Sequence, residues 1–367
     1  MGYNMNIEND IKLDFADVLI RPKRSTLESR SQVDLIKNFK PKYGDDFSGL
    51  PIMAANMATG TFEMLKVFSE HQMFVAIAKF LNDRWIEEFN RNHHIVKYGF
   101  YTIGMSKDEL ETFRKFYWHV KSTIGNVTGI KLVVDIANGY TQKFAAFVKS
   151  IRDNYPDIVI IAGNVATPEM VQELIINGAD YVKIGIGPGS VCTTRRQTGI
   201  GYPQISAAIE CSDAAHGLGA GIILDGGMRT PGDVAKAFCA NSDMVMIGGM
   251  FAGTDECHGE VVRRTFVIDE CEWLNGSYIQ KRVQKQFKVF YGMSSEYAQE
   301  HHGTGMKEYR SSEGRVEEVE LVGPVQPIIL DLLGGLRSTG TYIGAEHIKY
   351  FGKCSTLIRV NRVHDKF

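Results

Sequence analysis

Eight short apolar runs, separated by stretches of helical character, constrain this chain more than any other feature. The runs occupy residues 51–56, 74–79, 100–104, 131–135, 158–164, 181–186, 221–225 and 244–248. They are rich in β-branched residues, and most end on a polar or glycine-rich step. Runs of this length and composition read as strands. The stretches 61–71, 107–120, 141–153 and 168–177 read as helices. Thr167-Pro168-Glu169 marks a helix start, with Thr167 as cap and Pro168 in the first turn. Strands that alternate with helices pair in parallel, because parallel neighbours need a crossover. Eight such units imply an α/β fold of the (β/α)8 TIM-barrel class. A doubly wound dinucleotide-binding sheet would need G-x-G-x-x-G after its first strand. Residues 51–60 hold one glycine, and in the loop from Gly187 the third glycine position is Cys192.

The whole chain, 1–367, reads as one domain: barrel strands within 10–252, a hairpin and flap insertion over 253–320, and a C-terminal helix and tail over 321–367. Inside the insertion, Asn275-Gly276 between two alternating runs, 261–268 and 278–290, signals a hairpin. Its second run carries Lys281, Arg282, Lys285 and Lys288, read as a solvated face. The polar stretch 301–319 reads as a mobile lid. The segment from 331 onward is expected to cover the barrel or a neighbouring subunit.

Formal net charge is −2, which leaves no electrostatic footprint for nucleic acid or an anionic membrane. No apolar run reaches the roughly 18 residues of a membrane span. The polar N-terminus does not read as a signal peptide, and Asn6 breaks the myristoylation pattern that Gly2 begins. The six cysteines form no C-x-x-C pair and read as free thiols in a reducing cytoplasm.

Barrel enzymes place their chemistry where strands end and loops begin. Here those ends read Asn56, Lys79, Gly104, Asp135, Asn164, Gly187, Asp225 and Gly248. Residues 185–196 stand out, with alternating glycines, Pro188 and then Ser190-Val191-Cys192-Thr193-Thr194-Arg195. Glycines let a backbone turn sharply and approach a bound ion. Arg195 and Arg196 are expected to favour a Cys192 thiolate, a nucleophile for an electrophilic carbon; plain loop packing is the alternative. Asp225-Gly226-Gly227 and Gly248-Gly249 close strands seven and eight, where barrels often hold phosphate on backbone N–H groups. Asp225 would repel phosphate, so ribose hydroxyls are its expected partners, unless the glycines only permit tight turns.

The run from Lys183 to Arg195 resembles the signature loop of the IMP dehydrogenase / GMP reductase family. So do Asp225-Gly226-Gly227, Tyr291-Gly292-Met293-Ser294-Ser295 and Arg310-Ser311-Ser312-Glu313-Gly314. The likeness runs from about residue 13 to 360. About twenty residues separate Phe80 from Phe100, where dehydrogenases usually insert regulatory domains, so the chain resembles the reductase branch. Asp135-Ile136-Ala137-Asn138-Gly139-Tyr140 and the 338–345 tail agree, and Tyr309-Arg310 reverses the order of a dehydrogenase flap pair.

The resemblance implies that Cys192 adds to C2 of GMP, ammonia leaves, NADPH delivers hydride and IMP is released. Thr194 and Glu313 match a proton relay, and Lys79 and Asp135 match positions near the nicotinamide and the departing ammonia. Nucleotide contacts fall on Asp225, Gly226, Gly227, Gly248, Gly249, Gly292, Met293, Ser294, Arg310, Ser311, Ser312 and Gly314. Coenzyme contacts fall on Ser29, Arg30, Lys79, Asp135, Ile136, Ala137, Ile186, Gly187, Met293, Tyr309 and Arg310. Ser338, Thr339, Gly340 and Thr341 would join them from a neighbouring subunit of a homotetramer. Carbonyls of Gly187, Gly189 and Cys192, with Arg195 beside them, resemble a potassium site. The chain departs from the family at Asn56-Met57-Ala58-Thr59-Gly60-Thr61, which is one residue short and lacks an acid. Ala78 and Phe80 flank Lys79 where histidines are usual, Gly340 replaces a common cysteine, and the hairpin is long. A dehydrogenase without regulatory domains, and a non-catalytic barrel that binds guanine nucleotides, are the alternative readings.

Overall fold

The computed structural model describes residues 7–274, 277–302 and 312–361. Its centre is a closed barrel of eight parallel strands: β1 (Ile52–Ala54), β2 (Phe74–Ala76), β3 (Gly99–Ile103), β4 (Lys131–Asp135), β5 (Val159–Val165), β6 (Tyr181–Ile184), β7 (Gly221–Asp225) and β8 (Met244–Ile247). They follow one another around the barrel in chain order. Closure comes from β8 against β1, with Val245 opposite Ile52, Met246 opposite Met53 and Ile247 opposite Ala54. Each strand is buried almost throughout, which explains continuous apolar runs in place of alternation. Each lies within or at most one residue beyond its expected run. β2 is shorter, because the chain turns into a 3-10 helix at Lys79.

The surrounding helices are α1 (Phe62–Glu70), α2 (Trp85–Arg91), α3 (Lys107–Ile124), α4 (Gln142–Asn154), α5 (Pro168–Ile176), α6 (Gln204–Gly217), α7 (Pro231–Cys239) and α8 (Gln326–Ile343). Their ends follow local chemistry. The Ser106 hydroxyl accepts the Glu109 amide at the start of α3, and Gly125 ends that helix at φ +73°, a conformation that costs other residues. Thr167 does sit at the start of α5, but its hydroxyl caps no amide. It lies 3.3 Å from the Tyr140 hydroxyl instead. None of these helices is long and apolar enough to cross a membrane. Helix α8 is the eighth barrel helix and packs on α7, so the C-terminal segment begins as part of the barrel. The chain then returns to pair Leu357–Arg359 with Val18–Ile20.

The amino ends of the strands are stoppered by the two-stranded unit Lys37–Phe39 and Phe47–Gly49. Phe39 and Phe47 stack there and meet Phe74 and Tyr181 edge-on. Beside this plug, just before β8, Asp243 accepts from Lys37 Nζ at 2.7 Å, pairs with His216 Nε2 at 2.9 Å and accepts the Ile222 amide at 2.9 Å. Burial alone would raise its pKa, but Lys37 and His216 outweigh burial and hold it at about 2, against an ordinary 3.8. A carboxyl with a depressed folded pKa adds stability that is complete above its unfolded value and is lost as pH falls through the folded one. Asp243→Asn keeps one acceptor oxygen for Ile222 and removes the charge and the second acceptor. Its urea midpoint at pH 7 should fall by the equivalent of about 2 kcal/mol. Between pH 4 and pH 2 the gap to the parent should close; a gap independent of pH would refute this assignment.

The insertion after β8 is an antiparallel sheet of β9 (Val261–Leu274), β10 (Ser277–Tyr291) and β11 (Val316–Glu320). Leu274 stands opposite Ser277, as a two-residue hairpin requires; residues 275 and 276 lie outside the described residues. The first strand runs six residues past the expected 261–268. The expected lid is part strand, since 316–319 pair with β10. Lys281 and Lys285 pair with Glu270 and Glu320, as a solvated face would. Lys288 does not. It is buried, and its ammonium donates to the carbonyls of Thr254, Asp255 and Cys257 at the root of the hairpin. Among the described residues Cys192, Cys211, Cys239, Cys257 and Cys354 are free thiols.

Candidate active site

Among the described residues, most of the chemistry-bearing groups of the barrel come from the carboxyl ends of its strands and the loops beyond them. After β6, Gly185 and Gly187 take φ of +151° and +78°, and the chain turns back so that Cys192 N donates to the Gly189 carbonyl at 3.1 Å. Cys192 then pairs across a short antiparallel bridge with Gly314 from the insertion. Two further backbone hydrogen bonds lace the loop to that segment, Thr193 N to Glu313 O and Arg315 N to Val191 O, and Gly292 N to Arg315 O ties the segment to the end of β10. This lacing brings together side chains far apart in sequence. The Cys192 thiol donates to Thr194 Oγ1 at 3.3 Å, and Thr194 Oγ1 donates to Glu313 Oε2 at 2.6 Å. Thiol, hydroxyl and carboxylate thus form a continuous proton path.

Arg195 is not where thiolate stabilisation would put it. Its guanidinium turns from the thiol to pair with Asp14 at 3.2 Å and donate to the Tyr202 carbonyl. Arg196 is exposed. The sulfur's ready partner is the Thr194 hydroxyl.

Beneath this loop, a charged network fills the mouth of the barrel. Lys183, in the middle of β6, is buried; its ammonium meets Asp135 at 2.6 Å, Asp225 at 3.0 Å and Asn56 Oδ1 at 3.4 Å. Asn164 Nδ2 donates to Asp225 at 2.9 Å and to the Gly185 carbonyl at 3.0 Å. Burial would disfavour charge on Asp135 and Lys183, and pairing reverses that. Desolvation pushes the Asp135 pKa up, but Lys183 and Lys79, with hydrogen bonds from Lys183 and Asn56, hold it below its usual value. Desolvation likewise opposes the Lys183 ammonium, but Asp135 and Asp225 raise its pKa. Lys79 approaches from the turn after β2, with Nζ 3.4 Å from the Asp135 carbonyl.

Two cavities open on either side of the cysteine loop. One, of about 300 Å³, is lined by Asp225, Gly226, Gly227, Gly248, Gly249 and Ser190 among others. Gly226 and Gly227 take φ of +83° and +87°, and the Gln204 amide braces the carbonyls of Asp225 and Gly226 from below. The other, of about 500 Å³ and mostly apolar, is lined by Ala137, Tyr140, Ile186, Tyr202, Thr194 and Glu313 among others. The proton path therefore ends at the wall of the second cavity. A larger groove between α1 and α2 lies away from all of these groups.

Comparison with known proteins agrees with this layout. Residues 128–364 match the model of the IMP dehydrogenase / GMP reductase domain. The chain is 48% identical over 364 residues to human GMP reductase 1, covering 98% of each protein. It is 47% identical over 360 residues to human GMP reductase 2, and 47% over 361 residues to a GMP reductase of Yersinia enterocolitica, covering 97% of each chain in both cases. The chain belongs to the IMP dehydrogenase / GMP reductase family.

Family membership sets the expected site residues against their observed places. Cys192, Thr194, Glu313, Asp135 and Lys79 gather at the mouth, as do Ile186, Gly187 and Ala137. Gly292 abuts the loop, where a Cβ would meet the Val191 carbonyl at 2.9 Å; Met293 and Ser294 follow it. Tyr309, Arg310 and Ser311 lie outside the described residues. Ser29 and Arg30 lie elsewhere. They pack beside α8, which carries Ser338, Thr339, Gly340 and Thr341, and none of the six lines either cavity. Gly340 is buried against Val33, where a Cβ would come within 2.7 Å, so its side here is helix packing and not a ligand face. The sequence reading of the site missed Lys183. A lone lysine inside an otherwise apolar strand run was the available signal, since a buried ammonium needs carboxylate partners.

Proposed function

We propose that this chain catalyses the NADPH-dependent reductive deamination of GMP to IMP and ammonia, with Cys192 as covalent nucleophile. The Cys192–Thr194–Glu313 hydrogen-bond path carries the reading. In balance, GMP, NADPH and two protons give IMP, NADP+ and ammonium. Cys192 Sγ would bond to C2 of the guanine ring while its proton moves to Thr194 and the Thr194 proton moves to Glu313. The exocyclic amine is a poor leaving group and must be protonated as the C2–N bond breaks. Glu313, returning its proton through Thr194, is the group placed to do so. When bound, NADPH supplies the hydride that replaces the amine. Sγ then leaves as C2–H forms.

The smaller cavity suits the nucleotide. Its glycine-rich walls offer backbone N–H groups, and Asp225 can accept from ribose hydroxyls. The mostly apolar cavity, with Thr194 and Glu313 at its edge, suits the reactive end of the coenzyme. The paired carboxylate of Asp135 would stabilise departing ammonium, and the Lys183 bridge keeps that carboxylate ionised. Ser29, Arg30, Ser338, Thr339 and Thr341 cluster away from both cavities, which supports their serving the coenzyme of a neighbouring subunit in a homotetramer. A potassium ion would fit the carbonyls of Gly187, Gly189 and Cys192, with Arg195 bounding the loop. The donors are neutral oxygens, as a hard monovalent cation prefers. We place the enzyme in the cytoplasm on the same reading.

The test is NADPH oxidation at 340 nm with GMP, with products separated by chromatography. GMP-dependent oxidation that yields IMP and ammonium in equal amounts is the expected result. Reduction of NAD by IMP, with no oxidation of NADPH by GMP, would replace this reading with the dehydrogenase.

A further inference from the structure

Lys79 sits at the mouth of the site, yet its own side chain is weakly held. Its ammonium makes a single hydrogen bond among the described residues, the long one to the Asp135 carbonyl. Beyond that bond and the attraction of the Asp135 charge, the neighbouring backbone is what can fix it. The next residue supplies a grip. The Phe80 ring stacks face to face on His302, with centroids 4.1 Å apart and planes 11° from parallel. His258 closes on it at 5.1 Å. Both imidazoles belong to the insertion after β8, and each is tied down in turn. His302 ends the short helix Glu296–His302, and its Nε2 lies 2.6 Å from the hydroxyl of the buried Tyr291 at the end of β10. His258 donates its backbone N–H to the Ala58 carbonyl at 2.7 Å, on the loop after β1. The same insertion carries Glu313 to Cys192.

We propose that Phe80, packed against His302 on its face and His258 at its side, transmits the placement of the insertion to Lys79, so that Phe80 and His302 are positioning residues for that lysine. The two arms of the site would then be set by one element: the insertion delivers Glu313 to Thr194, and through it to the sulfur, and orients Lys79 through the aromatic contact. A face-to-face stack of this kind is specific in geometry and modest in strength, and its loss should tilt a side chain without unfolding the barrel. The kinetic part of the inference rests on the reductase reading; the placement of Lys79 does not.

Four variants of the full chain test it: Phe80→Ala, His302→Ala, the double variant, and His302→Phe, which keeps a ring on Phe80. Acetylation of Lys79 by an amine-reactive reagent, followed by peptide mapping, reports the placement of its ammonium without turnover. Steady-state kinetics with GMP and NADPH report its use. Each single alanine variant should change the Lys79 acetylation rate and lower kcat by about 3- to 10-fold, with the KM for GMP unchanged. The double variant should be no worse than either single, because both remove one contact. His302→Phe should restore most of both readouts. Unchanged acetylation, additive losses, or a His302→Phe variant no better than the alanine would overturn the inference. Absence of turnover in the parent chain would count against the reductase reading alone, since the acetylation result still decides the placement of Lys79.

Discussion

Cys192→Ala should abolish GMP-dependent NADPH oxidation, by at least about 10³-fold, while GMP still binds. The separation of the two effects follows from geometry. The cavity proposed for the nucleotide is walled by Asp225 to Gly227, Gly248, Gly249 and Ser190, and the sulfur is not among its lining groups. The loop should also keep its shape. Cys192 holds its place through its backbone, by its N–H on the Gly189 carbonyl and its bridge to Gly314, and alanine retains both. Titration calorimetry with GMP and the 340 nm assay on the same preparation read the two properties side by side. Residual turnover within tenfold of the parent would exclude a covalent role for Cys192. Loss of GMP binding along with turnover would mean that the loop had moved, and the variant would then say nothing specific about the sulfur.

How much of this was legible beforehand depends on the distance over which each feature is decided. The eight strands were legible because a parallel barrel buries both faces, so each strand writes itself as a short continuous apolar run. The hairpin was legible from Asn275-Gly276 because a two-residue turn is a local demand. The cysteine loop was legible because its glycines must turn sharply within a few residues. What failed was decided elsewhere in the chain. Arg195 stands three residues from Cys192, but its charge is claimed by Asp14, 181 positions away in sequence. Lys288 looks like its solvated neighbours Lys281 and Lys285, yet it faces inward to three carbonyls at the hairpin's root. The Thr167 hydroxyl was drawn off by Tyr140. β11 and the pairing of Val18–Ile20 with Leu357–Arg359 are short and polar or flanked by loops, so no periodicity announces them. Lys183 is the instructive case. Its partners come from β4, β7 and the loop after β1, and only closure of the barrel makes them neighbours.

Glu313→Gln tests the remaining half of the chemistry. Glutamine is nearly isosteric, and its amide oxygen can still accept from Thr194, so the 2.6 Å contact and the lacing of 312–315 to the cysteine loop should survive. It cannot take up or release a proton. Turnover should therefore fall by about 10²- to 10⁴-fold, the range general acid–base groups supply, with the KM for GMP little changed. Thr194→Val interrupts the same path at its middle, and a carboxylate with no hydroxyl between it and the sulfur is left without a route. The two losses should not multiply: the double variant should lie near the slower single, because one broken link stops the path as completely as two. Independent, multiplicative losses would mean that Thr194 and Glu313 act on different steps. A Glu313→Gln variant within threefold of the parent would mean that protonation of the amine reaches the site by another group, and Lys79 or Asp135 would be the next residues to replace.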